Sequence, residues 1–291
     1  MERSFLSRST NPSSFGRVGY ILRKPMLRKR LPFYLSKWYL DCVDDDGTVF
    51  IGYSARLQCG PLPLSYSASL IERNGDALER RSYRRAQDPV TDEGHNVRWR
   101  FDRLGVRGVW DTLSDPVERV LYRGNEGTVL WRCHAPRARA SVTPGTGAAI
   151  EGLGYVEQLV VTVPPWKLPM KTLRWGRFLS PNHELIWICW EGEDPLHVVT
   201  YDQIALPRAV PHEDGVDMPC LDQQLGWCET REILRRPVLG SAWPLRMMAR
   251  VAGGVSGFDL FEERWLSRGT LTGRGIDPES GWVLHETVTW L

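Results

Sequence analysis

An alternation of apolar and polar residues with a period of two runs through most of this 291-residue chain, broken at short intervals by turn dipeptides. Successive residues of a strand project to opposite faces, so this period predicts strands with one buried face. "KWYLDCVDDDGTVFIGYSARLQ", residues 37–58, sets apolar and aromatic runs on both sides of Asp46-Gly47, a pair that accepts the positive φ values of a tight hairpin. "SYSASLIERNGDALERRSYRR" repeats the device around Asn74-Gly75. Further strand-like runs fall at 96–101, 106–113, 117–124 and 128–133, and again at 185–192, 196–204, 225–234, 244–253, 258–267 and 281–290. Residues 221–234 score as a short helix on propensity alone, but long 3.6-residue periods with capping boxes are absent. Short strands with regular turn signals predict an all-β chain folded as sandwiches or barrels.

Two stretches interrupt the pattern. "HAPRARASVTPGTGAAIEG", residues 134–152, reads as a long loop or as a strand with a mobile connection. "PPWKLP", residues 164–169, holds three prolines in six positions, which excludes a central strand and favours an extended connector. The expected organisation is a basic arm over 1–35, a first β domain over 36–165 and a second over 166–291. Residues 1–40 carry nine basic side chains against Glu2 alone, so that segment is near +8 and the remainder near −6 for a net charge of +2. The arm reads as a solvated tail with at most a weak contact to an anionic membrane surface, and no nucleic-acid partner is expected. No apolar segment of signal-peptide length follows its charges, and no run of 18 apolar residues occurs, so a cytoplasmic chain is expected.

Six cysteines occur without a CxxC, and six histidines without HxH or HExxH, so a structural zinc is not expected and the thiols read as reduced, buried apolar groups. GxSxG, a P-loop and a helix-opening GxGxxG are also missing. No cofactor is predicted. The feature that does carry chemistry is "GYVEQLVVTV", residues 154–163, where Tyr155 and Glu157 share a strand face with Leu159, Val161 and Val163. A carboxyl on an apolar face resists ionisation and can stay a neutral acid near pH 7, able to protonate an alkene or carbonyl. Glu157 is the candidate acid/base and Tyr155 its partner. The competing reading is structural: Arg174 or Arg177 on the next strand pairs with Glu157 and ties two strands together.

Gly154-Tyr155-Val156-Glu157-Gln158 and Trp175-Gly176-Arg177 together resemble the Gly-Tyr-His-Asp-His and Trp-Gly-Arg strands of the two-domain, lipocalin-like carotenoid 1,2-hydratases (hydroxyneurosporene synthases) and related fungal Diels-Alderases. Both family histidines are replaced here, by Val156 and Gln158, and the acid is Glu instead of Asp. The resemblance implies two consecutive lipocalin-like antiparallel β-barrels with a hydrophobic ligand cavity and a Tyr-x-acid pair that handles a proton. Of the thirteen tryptophans, Trp166, Trp175, Trp187 and Trp190 crowd this region and, with Arg177, are the candidate substrate-binding residues. Trp187 and Trp190 lie three apart, so on a strand they face opposite ways. Their ring faces suit a carbocation by cation–π attraction, or they simply fill barrel interiors. The expected function is a cofactor-independent hydratase, cyclase or isomerase for a hydrophobic isoprenoid or polyketide held in a barrel cavity. The alternative is a non-catalytic carrier of a hydrophobic small molecule.

Overall fold

The computed structural model describes residues 33–237 and 260–290, apart from Glu93 and Thr146. Most of the basic arm, residues 1–32, and the strand expected at 244–253 lie outside the described residues. Ten strands build the first sheet: β1 (Phe33–Asp44), β2 (Val49–Cys59), β3 (Leu62–Glu72), β4 (Glu79–Tyr83), β5 (Val90–Thr91), β6 (Val97–Phe101), β7 (Val106–Thr112), β8 (Val117–Gly124), β9 (Gly127–Thr143) and β10 (Ile150–Val161). Nine build the second: β11 (Met170–Leu179), β12 (Glu184–Gly192), β13 (Leu196–Tyr201), β14 (Ile204–Ala205), β15 (Val210–Pro211), β16 (Gly215–Met218), β17 (Gln223–Pro237), β18 (Leu260–Gly273) and β19 (Glu279–Trp290). A single 3₁₀ turn, Pro165–Lys167, is the one helical element among the described residues, and it lies in the proline-rich connector between the sheets.

Every pairing is antiparallel. The first sheet runs β4-β3-β2-β1-β10-β9-β7-β6-β5, with β8 paired to β9 beside this path, and the second runs β14-β13-β12-β11-β19-β18-β17-β16-β15. The two hairpin dipeptides turn as expected: Gly47 sits at φ 83°, and Asn74 and Gly75 at 43° and 95°. Each sheet curls around its own core. Trp38 and Leu40 on β1 meet Trp99, Trp110, Val142 and Val156 inside the first, while Phe178, Trp187, Met218, Leu271 and Val283 fill the second. The chain is thus all-β, with two consecutive curled barrels.

A third core lies where the sheets meet. Tyr39, Tyr155 and Trp131 from the first sheet pack with Trp175, Ile188, Leu266 and Leu284 from the second. Strands at this seam are covered on both faces, which is why residues 38–43 of β1 are buried without interruption although their sequence alternates. Asp41 of β1 and Arg177 of β11 join across the seam, both wholly buried, with Arg177 Nη2 2.7 Å and Nε 3.2 Å from the two carboxyl oxygens. Tyr39 Oη donates to the same carboxyl at 3.0 Å, and Arg177 Nη1 donates to the Trp282 carbonyl at 3.1 Å. Burial pushes the Asp41 carboxyl upward, yet a bidentate guanidinium holds it ionised, because neutralising it would strand an arginine cation in the interior.

Two motif glycines allow close packing on the barrel faces of the strands that form this seam. Gly154 faces the first barrel, where a Cβ would overlap the Asp41 carbonyl and the Trp110 indole that donates to that carbonyl at 2.6 Å. Gly176 faces the second barrel, where a Cβ would overlap the Trp187 ring. The stretch 134–152, open between loop and strand in the sequence, is mostly strand: β9 continues to Thr143 and only residues 144–149 connect it to β10. Pro136 is accommodated because the β9–β10 register shifts there, between Cys133↔Glu157 and Ala138↔Gly154, so no ladder donor is missed. Cys220 and Cys228 correct the expectation of buried thiols, since both are exposed.

Gly176→Ala is expected to destabilise the protein by about 1–3 kcal/mol through overpacking against Trp187, read as a lower urea midpoint. Arg177→Met and Asp41→Leu should each cost about 3–5 kcal/mol, while the double variant recovers most of that loss. A double variant no more stable than the singles would show that the pair is not the coupled unit described.

Candidate functional site

Glu157 stands on β10 at the seam, opposite Cys133 of β9. The register shifts on either side of Val156 re-aim this part of the strand, so Tyr155 and Glu157 both reach the layer between the sheets. The Tyr155 hydroxyl donates to Glu157 Oε2 at 2.7 Å and the Trp131 indole N–H to the same oxygen at 2.5 Å. Both donors converge on one oxygen, which leaves Oε1 as the oxygen that carries the proton when the acid is neutral. Burial pushes the carboxyl pKa up from the ordinary glutamate range; the two hydrogen bonds, and more weakly the charge of Lys37, pull it the other way. The Tyr155 phenol is driven well above its usual value, chiefly by burial, so it acts as a donor and never as a phenolate.

The carboxyl borders a partly open cavity of about 130 Å³ between the sheets. Leu121, Val129, Leu159, Leu173 and Ile188 give it apolar walls, and Tyr39, Trp131, Trp175 and Trp190 contribute rings. No described cation pairs with Glu157. Arg177 belongs to Asp41, Arg174 makes an exposed pair with Glu191 at 3.5 Å, and Arg264 is committed to Tyr53, Glu286 and Glu262. The Lys37 ammonium lines the cavity but sits over the Tyr53 ring, 5.2 Å from its centroid. The buried Nε1 of Trp175 is also directed at Glu157, outside ordinary hydrogen-bond geometry, and pulls the carboxyl pKa down a little further.

Of the residues singled out in the sequence, Glu157, Tyr155, Trp175 and Trp190 come together here. Arg177 lies in the same layer but serves Asp41. Trp187 faces the opposite way from Trp190, into the second barrel. Trp166 packs edge-on against Phe33 at 6.0 Å, outside the cavity lining. The acid therefore faces the seam between two barrels, not the lumen of either, which relocates the barrel cavity expected from the sequence. Sequence reasoning missed Trp131, Lys37, Tyr39 and Asp41. Asp41 carried the signal that exposed Glu157, a carboxylate on the same strand face as Tyr39 and Val43.

A two-barrel β protein with a carboxylic acid and its donors buried at the seam is the class that this fold and site define. The fold is shared with kievitone hydratase from Nectria haematococca, at a TM-score of 0.54 and 10% identity over 88% of each chain. It is shared equally with CghA, solved with Sch210972, at a TM-score of 0.53 and 10% identity over 89% of each chain. No protein-family model and no curated protein sequence matches this chain. The architecture implied by the Gly-Tyr and Trp-Gly-Arg resemblance is thus the one this chain adopts.

Trp131→Phe and Tyr155→Phe each remove a donor that favours the carboxylate, so both should raise the Glu157 pKa further. Carbon-13 NMR of labelled glutamate against pH reads this directly; a fall in either variant would contradict the donor assignment.

Proposed function

We propose that this protein is a cofactor-independent hydratase, cyclase or isomerase, in which Glu157 protonates a hydrophobic isoprenoid or polyketide substrate. The observation that carries the reading is a carboxyl at a largely apolar cavity that accepts hydrogen bonds from two neutral donors and forms no ion pair, although Lys37 and Arg264 also line that cavity. A structural glutamate at such a seam would be paired as Asp41 is. The shared fold of a named hydratase supports the same class of chemistry.

The cavity bounds what reaches the acid. An apolar cavity of about 150 Å³ holds benzene, so the 130 Å³ here takes one unsaturated unit of about five or six carbons. Oε1–H gives its proton to one alkene carbon, and the positive charge develops on the other. The faces of Tyr39, Trp131, Trp175 and Trp190 stabilise that charge. Water then adds and gives up a proton, or an adjacent C–H gives one up, and the Glu157 carboxylate is the base that receives it. Tyr155 and Trp131 hold Oε2 in place through both states, so the acid needs little reorganisation when it ionises.

Glu157→Gln keeps the shape and should lower turnover by about 10²–10⁴-fold. In D₂O the native protein should place one deuterium in a prenylated or polyenic substrate, read by mass spectrometry, and the variant none; equal labelling would remove Glu157 from the chemistry. The pH dependence has a defined sign. With its pKa raised on folding, the native carboxyl holds a proton that the unfolded chain has released, so stability falls as pH rises through the interval between the two values. That slope should vanish in Glu157→Gln, and kcat/KM should decline over the same interval as the acid is lost.

A further inference from the structure

The second barrel is packed at one end and hollow at the other. Phe178, Leu185, Leu225, Leu271 and Val283 fill the closed end. Beyond them lies a cavity of about 780 Å³ that the seam acid does not border. Its wall is a row of rings. Trp187 and Trp227 stack with centroids 5.6 Å apart and planes within 6°, Trp227 meets His285 at 5.1 Å, and His285 stacks on Trp265 at 5.3 Å. Trp187 is sealed, whereas Trp227, His285 and Trp265 keep part of their surface open.

Backbone irregularity builds this wall. The β17–β18 register shifts between Cys228 and Arg231, and Glu229 within that bulge takes a left-handed φ of 52°, a conformation that a non-glycine residue adopts at a cost. The bulge lets Trp227 and Thr230 both line the cavity although they lie three residues apart. Thr230 Oγ1 lies 2.9 Å from Ser267 Oγ, which lies 3.2 Å from His285 Nε2. His285 Nδ1 has no protein partner among the described residues. Burial lowers this imidazole's pKa to about 4, so it is neutral at pH 7 and brings no charge to the cavity.

Most of the charges at the rim are paired. Arg174 pairs with Glu191, His212 with Asp214 and Asp217, and Glu286 with Arg264. Glu213, without a described partner, is exposed. An anionic ligand would find no unmatched cation among the lining residues, whereas a flat neutral one finds ring faces and a free ring nitrogen.

We propose that the open end of the second barrel is a binding site in its own right, for a planar, uncharged aromatic molecule bearing a hydroxyl or carbonyl group. The ligand stacks on Trp227 and Trp265 and makes one hydrogen bond to His285. The volume lies within the usual 300–1,000 Å³ range of small-molecule sites and admits two or three fused rings.

Titration calorimetry of the full chain with 2-naphthol tests this. Saturable binding is expected, about tenfold tighter than that of decahydro-2-naphthol, which keeps the hydroxyl but cannot stack. Trp227→Leu should weaken 2-naphthol about tenfold while Trp227→Phe stays within about threefold, which separates lost stacking from lost folding. His285→Phe keeps a ring and should bring 2-naphthol down to the affinity of naphthalene. Leu159→Phe, which fills the seam cavity beside Glu157, should leave 2-naphthol binding unchanged. Equal affinity for the flat and saturated alcohols, full affinity in Trp227→Leu, or loss of binding in Leu159→Phe would each overturn the assignment. None of these outcomes depends on whether Glu157 is catalytic.

Discussion

A desolvated ion pair, Asp41 with Arg177, is the constraint on which the rest of this molecule turns. Removing two charges from water is costly, and only a bidentate contact with the extra donors from Tyr39 and the Trp282 acceptor offsets it. That geometry exists in one registration of the two sheets, because Asp41 is fixed by its pairing with Tyr155 and Ile51, and Arg177 by its pairing with Leu284 and Ile186. Hydrophobic contact alone would tolerate sliding of one curled sheet over the other. The buried pair does not, and so it sets the spacing of the layer in which Glu157 is found.

Two carboxyls in that one layer have opposite fates. Asp41 pairs with a guanidinium; Glu157, on the adjacent strand, accepts its hydrogen bonds from a phenol and an indole. Burial pushes both carboxyls upward, but a fixed cation stabilises a carboxylate far more than neutral donors do, and only Asp41 has one. The two acids are thereby distinguished by the identity of their neighbours.

Much of this was legible in the sequence because its signals are local. The period of two, the Asp46-Gly47 and Asn74-Gly75 turns and the prolines at 164–169 act within a few residues, and the strands and hairpins follow them. Tyr155 and Glu157 stood out for the same reason, as polar groups on an apolar strand face. What could not be read is what lies across from them. Trp131 meets Glu157 only after two register shifts in β9–β10, and Arg177 meets Asp41 across separate sheets, 136 positions apart. Trp187 and Trp166 were grouped with the site by nearness in sequence, while strand geometry sends one into a barrel and the other to the edge of the seam.

Strand β11 divides two chambers with a single thickness of backbone. Arg177 looks into the seam, as does Trp175, which also borders the cavity of the second barrel, and Gly176 and Phe178 look into that barrel. Since the side-chain period is two, inserting or deleting one residue in this strand would turn an arginine into the barrel and a phenylalanine toward Asp41, exchanging the contents of both chambers at once. The history of such a wall is confined to replacement in place: side chains on it can change one at a time, but its length cannot.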